Sequence, residues 1–210
     1  MEDKRRLNLE DDVASLRASL YQMLSIAFYP PKPGVLRFWD EALSNFVEEG
    51  SSGKGSKTVV QLELRVEYNR LFVGPGKLPC PPYESVYRRD RVKDEIGTLM
   101  GPSVLDVKNR YAEAGLELSK SFKDYPDHVA VELEFMNFLC SKEAATVDIV
   151  GKEDLRKKQK EFLEMHIRTW AGEFSDRVLK STDSLFYKTA ASFLKEHVDD
   201  ELELFEDSFE

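Results

Sequence analysis

Apolar residues recur along this chain at steps of three and four, the spacing that places them on one face of a helix. Val13, Leu16, Leu20, Met23, Leu24, Ala27 and Phe28 form the first such stripe; Asp11 or Asp12 can cap it, and Pro30-Pro31 ends it. A second stripe (Val35, Phe38, Trp39, Leu43, Phe46, Val47) predicts a helix over 35–48, and a third helix is predicted over 58–71. Ser103 can cap a fourth that ends near Gly115, with a polar connector over 117–125. Two long helices follow, from Asp127 to about Ala145 and from Glu153 to about Val178, and a last one starts near Thr182 or Asp183. Strand-like alternation is nearly absent, so the expected fold is all-α, a single-domain helical bundle over 1–210. Within it, 1–10 reads as an N-terminal tail, 50–57 as a flexible Gly/Ser loop and 199–210 as an acidic C-terminal extension.

The helix after Pro126 stands apart, because it is apolar nearly all round. Val129, Leu133, Met136 and Cys140 make one face, and Val131, Phe135 and Phe138 another, which predicts a central position in the bundle. Glu134 and Asn137 occupy its narrow polar side. Glu132 falls on an apolar flank one turn beyond His128, so a buried Glu132 carboxylate needs a partner: either His128 or an arginine within the fold, or a cation brought by another molecule. Asp127 at the helix start either caps it or adds negative charge there, with Asp124 competing as the cap.

Between the third and fourth helices, 71–87 carries four prolines, Pro75, Pro79, Pro81 and Pro82, and two glycines, Gly74 and Gly76. Prolines fix φ and glycines open positive φ, so this long loop has a set shape. It is either a strap over one edge of the core or a binding element lined by Phe72, Leu78, Tyr83 and Tyr87.

Composition narrows the chemistry. A net charge of −9 disfavours nucleic acid and anionic membrane surfaces and suits a basic partner. Arg5-Arg6 leads into Leu7-Asn8-Leu9, which is followed at once by Glu10-Asp11-Asp12 rather than an apolar stretch, and no run is long enough to span a bilayer, so the expected location is the cytoplasm. The distant Cys80 and Cys140 form no disulfide framework. Gly50 to Lys57 lacks the order of a phosphate-binding loop and no strand precedes it. Neither His-Glu-x-x-His, Cys-x-x-Cys nor Gly-x-Ser-x-Gly occurs, so no metal, cofactor or catalytic residue is assigned. His166 lies on the stripe of Phe162, Leu163, Trp170 and Phe174, where it reads as a hydrogen-bonded core residue, and no histidine neighbours Cys80 in sequence to make it a nucleophile.

Three stretches carry a resemblance: Glu67-Tyr-Asn-Arg-Leu-Phe-Val-Gly-Pro-Gly76 leading to Pro81-Pro-Tyr-Glu-Ser-Val-Tyr87, then Tyr125-Pro-Asp-His-Val-Ala-Val-Glu-Leu-Glu-Phe-Met136, then Phe162-Leu-Glu-Met-His-Ile-Arg-Thr-Trp170. In this order and spacing the chain resembles the TorD/DmsD/NarJ family of cytoplasmic redox enzyme maturation chaperones. The resemblance implies a non-enzymatic helical protein that binds the twin-arginine leader, or an N-terminal segment, of a molybdopterin oxidoreductase catalytic subunit and delays its export until the cofactor is inserted. It implies a peptide-contacting region at Phe72, Gly74, Pro75, Pro82, Tyr83, Tyr87, Pro126, Asp127, His128 and Glu132. The residues themselves suit such a ligand. Two guanidinium groups followed by an apolar run call for carboxylates at one end of a greasy groove, and Glu84, Asp127 and Glu132 are the candidate acids, with Phe72, Tyr83 and Tyr87 as candidate walls. Two features differ from the family pattern: Thr169 stands where a proline often precedes the tryptophan, and the C-terminus is extended and acidic. That C-terminus, where Leu194, Val198, Leu202, Phe205 and Phe209 continue a stripe among acids, motivates the alternative of an acidic scaffold that binds a folded partner or pairs with itself as a homodimer. It can extend the last helix, fold over the groove, pack on a second copy or fray.

Overall fold

A computed structural model describes residues 2–32, 57–88, 101–120 and 122–207. The predicted helix over 35–48 and most of the Gly/Ser loop at 50–57 lie outside the described residues.

Helix α1 (Glu2–Phe28) packs along α5 (Val129–Ala145), and both pack near α8 (Leu185–Asp207). Contacts fix the directions. Arg17 meets Glu143 while Ser25 Oγ donates to the Ala130 carbonyl at 2.8 Å, so α1 and α5 run antiparallel. The N-terminus is not a tail: helix begins at Glu2, and the cap candidate Asp11 pairs instead across the bundle with Lys152, as its neighbour Glu10 does with Arg156. Those pairs tie α1 to α6 (Ile149–Phe162), and a helix that runs unbroken from Glu2 leaves no N-terminus at Asp11 or Asp12 to cap.

Helix α2 (Lys57–Tyr68) passes into a π-helical turn, Asn69–Val73, which buries both Leu71 and Phe72. A short helical turn α3 (Glu84–Tyr87) follows the proline-rich loop, and α4 (Pro102–Glu113) starts on Pro102 rather than on a Ser103 cap. Pro at the first helical position has no N–H to leave unpaired, which is why Ser103 is not needed there. Helix α6 continues through a second π-helical turn, Leu163–Ile167, into α7 (Arg168–Ser181). It starts at Ile149, earlier than predicted, because the Asp148 carboxylate accepts from Gly151 N at 2.8 Å. Just beyond this turn, Thr169 Oγ1 donates to the His166 carbonyl at 2.7 Å.

Helix α5 is central, as its all-round apolar pattern predicts. Leu133, Met136, Leu139 and Cys140 are at most 1 % exposed and pack with Tyr21, Leu24 and Phe28 of α1, Phe162 and Phe174, and Tyr187 and Leu194 of α8. All described residues fall in helices, turns and loops, with one isolated antiparallel bridge between Tyr83 and His128.

The acidic C-terminus extends the last helix to Asp207 and does not fold over the loop. Arg17 Nη2 and Nε lie 2.6 and 2.7 Å from the Glu201 carboxylate, its guanidinium sits 5.0 Å over the Phe205 ring, and Tyr21 Oη donates to Glu201 at 3.0 Å. Glu143 joins this buried network through Arg17, Arg156 and Gln159. The acids at the C-terminal end that reach the core are therefore matched by cations there, which a stripe drawn on one helix cannot reveal.

Candidate functional site

The loop after α2 is a strap stitched to the start of α5. Gly74 (φ 95°) closes the π-helical turn with its N–H to the Asn69 carbonyl at 2.9 Å, and Gly76 also takes positive φ (99°), as the glycine placement predicts. Cys80 N donates to the Leu71 carbonyl at 3.1 Å and buries the thiol, whose pKa burial raises. Beyond it, the Pro82 carbonyl accepts from Val129 N at 2.9 Å and Glu84 N donates to the Asp127 carbonyl at 3.0 Å. Asp127 turns back toward the strap, its Oδ2 accepting from Ser85 N at 2.9 Å. The cap of α5 is accordingly neither Asp127 nor Asp124 but His128, whose Nδ1 accepts from Ala130 N at 3.1 Å. Pro82 and His128 thus satisfy N–H groups that every helix start leaves open.

The three acids expected to rim an open cleft lie beneath this strap. Glu84, Asp127 and Glu132 are at most 1 % exposed. Glu84 faces His166 Nδ1 at 3.0 and 3.2 Å and Arg88 Nη1 at 2.9 Å, and His166 Nε2 comes within 3.2 Å of Asp106. His166 is the hydrogen-bonded core histidine its stripe suggested. Glu132 does not pair with His128 or with an arginine; its Oε2 accepts from the Trp170 indole at 3.1 Å. Burial, reinforced by the neighbouring Glu84 and Asp127 carboxyls, pushes the Glu132 pKa well up, and burial likewise raises Asp127. A neutral Glu132 meets the energetic objection to a buried unpaired carboxylate without an ion pair.

The aromatic residues divide between core and surface. Phe72 is 2 % exposed and packs on Phe28, Phe174 and Tyr187, so it is core rather than groove wall. Tyr87 is also buried, against Trp170 and Phe174, with the Arg177 guanidinium 4.9 Å over its ring. Pro82 is buried, and half-buried Pro126 accepts from Tyr111 Oη through its carbonyl at 3.0 Å. Gly74 is half-buried and Pro75 exposed at the tip of the strap.

Tyr83 and His128 remain at the edge of a hollow. A groove of about 880 Å³ runs between the end of α1, α5 and the connector after α4. Tyr29, Tyr68, Leu116, Leu118, Phe122, Val131, Phe135 and Phe138 give it apolar walls, and Asp124, His128 and Glu134 lie along it, with Lys32 and Lys123 also on its border. At its polar end Tyr29 Oη donates to Glu134 Oε2 and Tyr83 Oη to Asp124 Oδ1, both at 2.7 Å. The Tyr29 ring stacks on the His128 ring (6.2 Å, 10°), and Tyr83 meets it edge-on at 5.5 Å. Burial lowers the His128 pKa to about 4, so its ring is uncharged at neutral pH. Sequence reasoning passed over most of this site. Leu118 and Phe122 are an available signal inside the connector read as polar, and Glu134 lies on the predicted polar side of α5; what joins them to Tyr29 is tertiary.

The model of the family described as nitrate reductase delta subunit matches residues 35–176. The chain belongs to that family. It is 34% identical over 125 residues to the selenate reductase assembly chaperone protein of Thauera selenatis, covering 59% of this chain and 61% of that protein. It is 25% identical over 134 residues to the chaperone protein TorD of Vibrio parahaemolyticus, 64% of this chain and 60% of that protein. The matches thus span less than two thirds of either relative's length. A solved structure described as a redox enzyme maturation protein from Archaeoglobus fulgidus shares the all-α fold, with a TM-score of 0.57 at 24% identity over 85% of this chain and 91% of that one. The kinship read from the three motifs holds, and these relatives are named as chaperones and maturation proteins, not as enzymes. Among the described residues no helix is long and apolar enough to cross a membrane, and no group of three or more His, Cys, Asp or Glu is arranged to hold a metal ion.

Proposed function

We propose that this chain is a client-specific assembly chaperone. It binds the N-terminal twin-arginine leader, or an N-terminal segment, of a molybdopterin oxidoreductase catalytic subunit, supports cofactor insertion, and delays export until assembly is complete. The observation that carries this reading is the groove of about 880 Å³: an apolar aromatic channel bordered by the carboxylates of Glu117, Asp124 and Glu134 fits an unfolded segment that is both cationic and apolar. Membership of the family and the assembly-chaperone names of its relatives support the same reading. A flexible leader loses conformational freedom on docking, so its affinity is moderate, which suits holding followed by release. The net charge of −9 attracts a basic segment, and the chain acts on the cytoplasmic side, where leaders are first exposed.

The scaffold alternative drew on the C-terminal stripe. Leu194, Val198 and Phe205 are buried in the chain's own core and Leu202 is half-buried, which weakens that motive; Phe209 lies outside the described residues.

Titration calorimetry with a synthetic twin-arginine leader tests the proposal. Phe138→Ser and Leu118→Ser, each on a half-buried groove wall, are expected to weaken binding by about tenfold while far-UV circular dichroism stays unchanged. Wild-type affinity in both variants overturns the assignment of the groove.

A further inference from the structure

At one part of the groove two carboxylates are held by tyrosine hydroxyls rather than by cations. Several carboxylates elsewhere on the surface are matched by nearby cations: Glu67 by Arg70, Asp154 by Lys158, Glu173 by Arg177 and Asp176 by Lys195. Asp124 and Glu134 are not. Among the described residues each is held by a tyrosine hydroxyl, and neither is ion-paired, although Lys123 is adjacent in sequence to Asp124 and donates instead to the Lys120 carbonyl. The two tyrosines that fix these carboxylates also bracket the His128 ring, so aromatic surfaces and negative oxygens are presented together.

We propose that the Tyr29–Glu134 and Tyr83–Asp124 pairs form a receptor for two arginine side chains, each pair taking one guanidinium against its aromatic ring and its carboxylate. This rests on the reading of the groove as a leader-binding site and adds which end receives the arginines. The direction follows: the arginines sit at the strap end, and the apolar run lies along Phe135, Phe138 and Leu118. Guanidinium is preferred over ammonium because it is planar, stacks on aromatic faces and donates through two parallel N–H groups to a carboxylate. The phenol hydroxyls hold the carboxylates before any ligand arrives, so little side-chain freedom is lost on binding. The buried, uncharged His128 ring backs the two tyrosines without opposing positive charge.

The test uses fluorescence anisotropy with three labelled peptides that share an apolar run of about ten Leu and Ala residues and begin with Arg-Arg, Lys-Lys or Gln-Gln. Wild-type chain is expected to bind Arg-Arg about tenfold more tightly than Gln-Gln, with Lys-Lys between them, and the margin should shrink as salt is raised. Asp124→Asn with Glu134→Gln keeps the oxygens that accept from the tyrosines and removes the charges, so Arg-Arg should bind it no better than Gln-Gln. Glu134→Lys, at an exposed helix position, asks the same question through a second substitution and should likewise abolish the margin. A retained Arg-Arg preference in these variants overturns the receptor. Equal binding of all three peptides to wild type also overturns it while leaving the groove as a leader site, whereas absence of binding by every peptide overturns both.

Discussion

His128 joins three contacts on one side chain: it caps α5 through Nδ1, stacks with Tyr29 and meets Tyr83 edge-on. The cap requires an unprotonated Nδ1, and burial depresses the pKa from its ordinary 6.5 to about 4. A base with a lowered folded pKa binds its proton first in the unfolded chain, so its stability contribution is intact above about 6.5 and is lost as pH falls towards 4. His128→Asn keeps a cap acceptor and cannot titrate; the fall in urea midpoint between pH 7 and pH 5 should be smaller in this variant, although His197, also shifted down by burial, keeps part of it. Glu132 works in the opposite direction. Its folded pKa is raised by burial beside Glu84 and Asp127, so stability is full below the ordinary carboxylate value of 4.5 and declines as pH rises. Glu132→Gln retains an acceptor for the Trp170 indole, and urea denaturation should show it gaining on wild type at pH 8 and not at pH 4. The Glu132 position was legible as a buried acid from its place on an apolar flank. Its partner was not, because Trp170 lies 38 residues away and reaches it only when α7 packs on α5.

Among the elements, the strap is the one whose sequence dictates its conformation most directly. A Cβ on Gly74 would lie 3.2 Å from Leu78 Cδ2 and 3.3 Å from Gly76 N at a φ of 95°. Gly74→Ala should therefore cost about 1–2 kcal/mol, seen as a lower melting temperature in calorimetry, while Gly76→Ala, equally strained in φ but open around its Cβ, should cost less. Helix interiors followed from periodicity, and their ends did so less well. Asp11, Ser103 and Asp127 are all good cap residues that do not cap: α1 runs through Asp11, which pairs with Lys152, a proline takes the first position of α4, and Asp127 accepts from Ser85 N. The π-helical turns at Asn69–Val73 and Leu163–Ile167 leave no mark in an apolar stripe, because the inward residues, Leu71 and Phe72 in one and Leu163, His166 and Ile167 in the other, stay buried.

At the scale of the whole molecule, the C-terminal half of α8 closes the bundle against α1. Ending the chain after Asp199 would remove Glu201 and Phe205 and leave the buried Arg17 without its bidentate partner. Uncompensated burial of such a charge costs about 3–5 kcal/mol, which for a chain of this size lowers the melting temperature by roughly 10 °C. Leader affinity should not rise, since α8 does not contribute to the groove; differential scanning calorimetry paired with peptide titration checks both halves of this expectation.

By itself the sequence determined the helical periods, the central place of an all-apolar α5, the set shape of the strap and, through three ordered motifs, the family. These are local or one-dimensional properties: spacing fixes which side of a helix is greasy, and proline and glycine fix φ where they stand. Only the tertiary structure decided which acids are buried and which line a groove, because exposure depends on what another element covers. It buried Glu84, Asp127 and Glu132 under the strap and brought Tyr29 against Glu134, 105 residues away, to make the end of the groove that the sequence could not show.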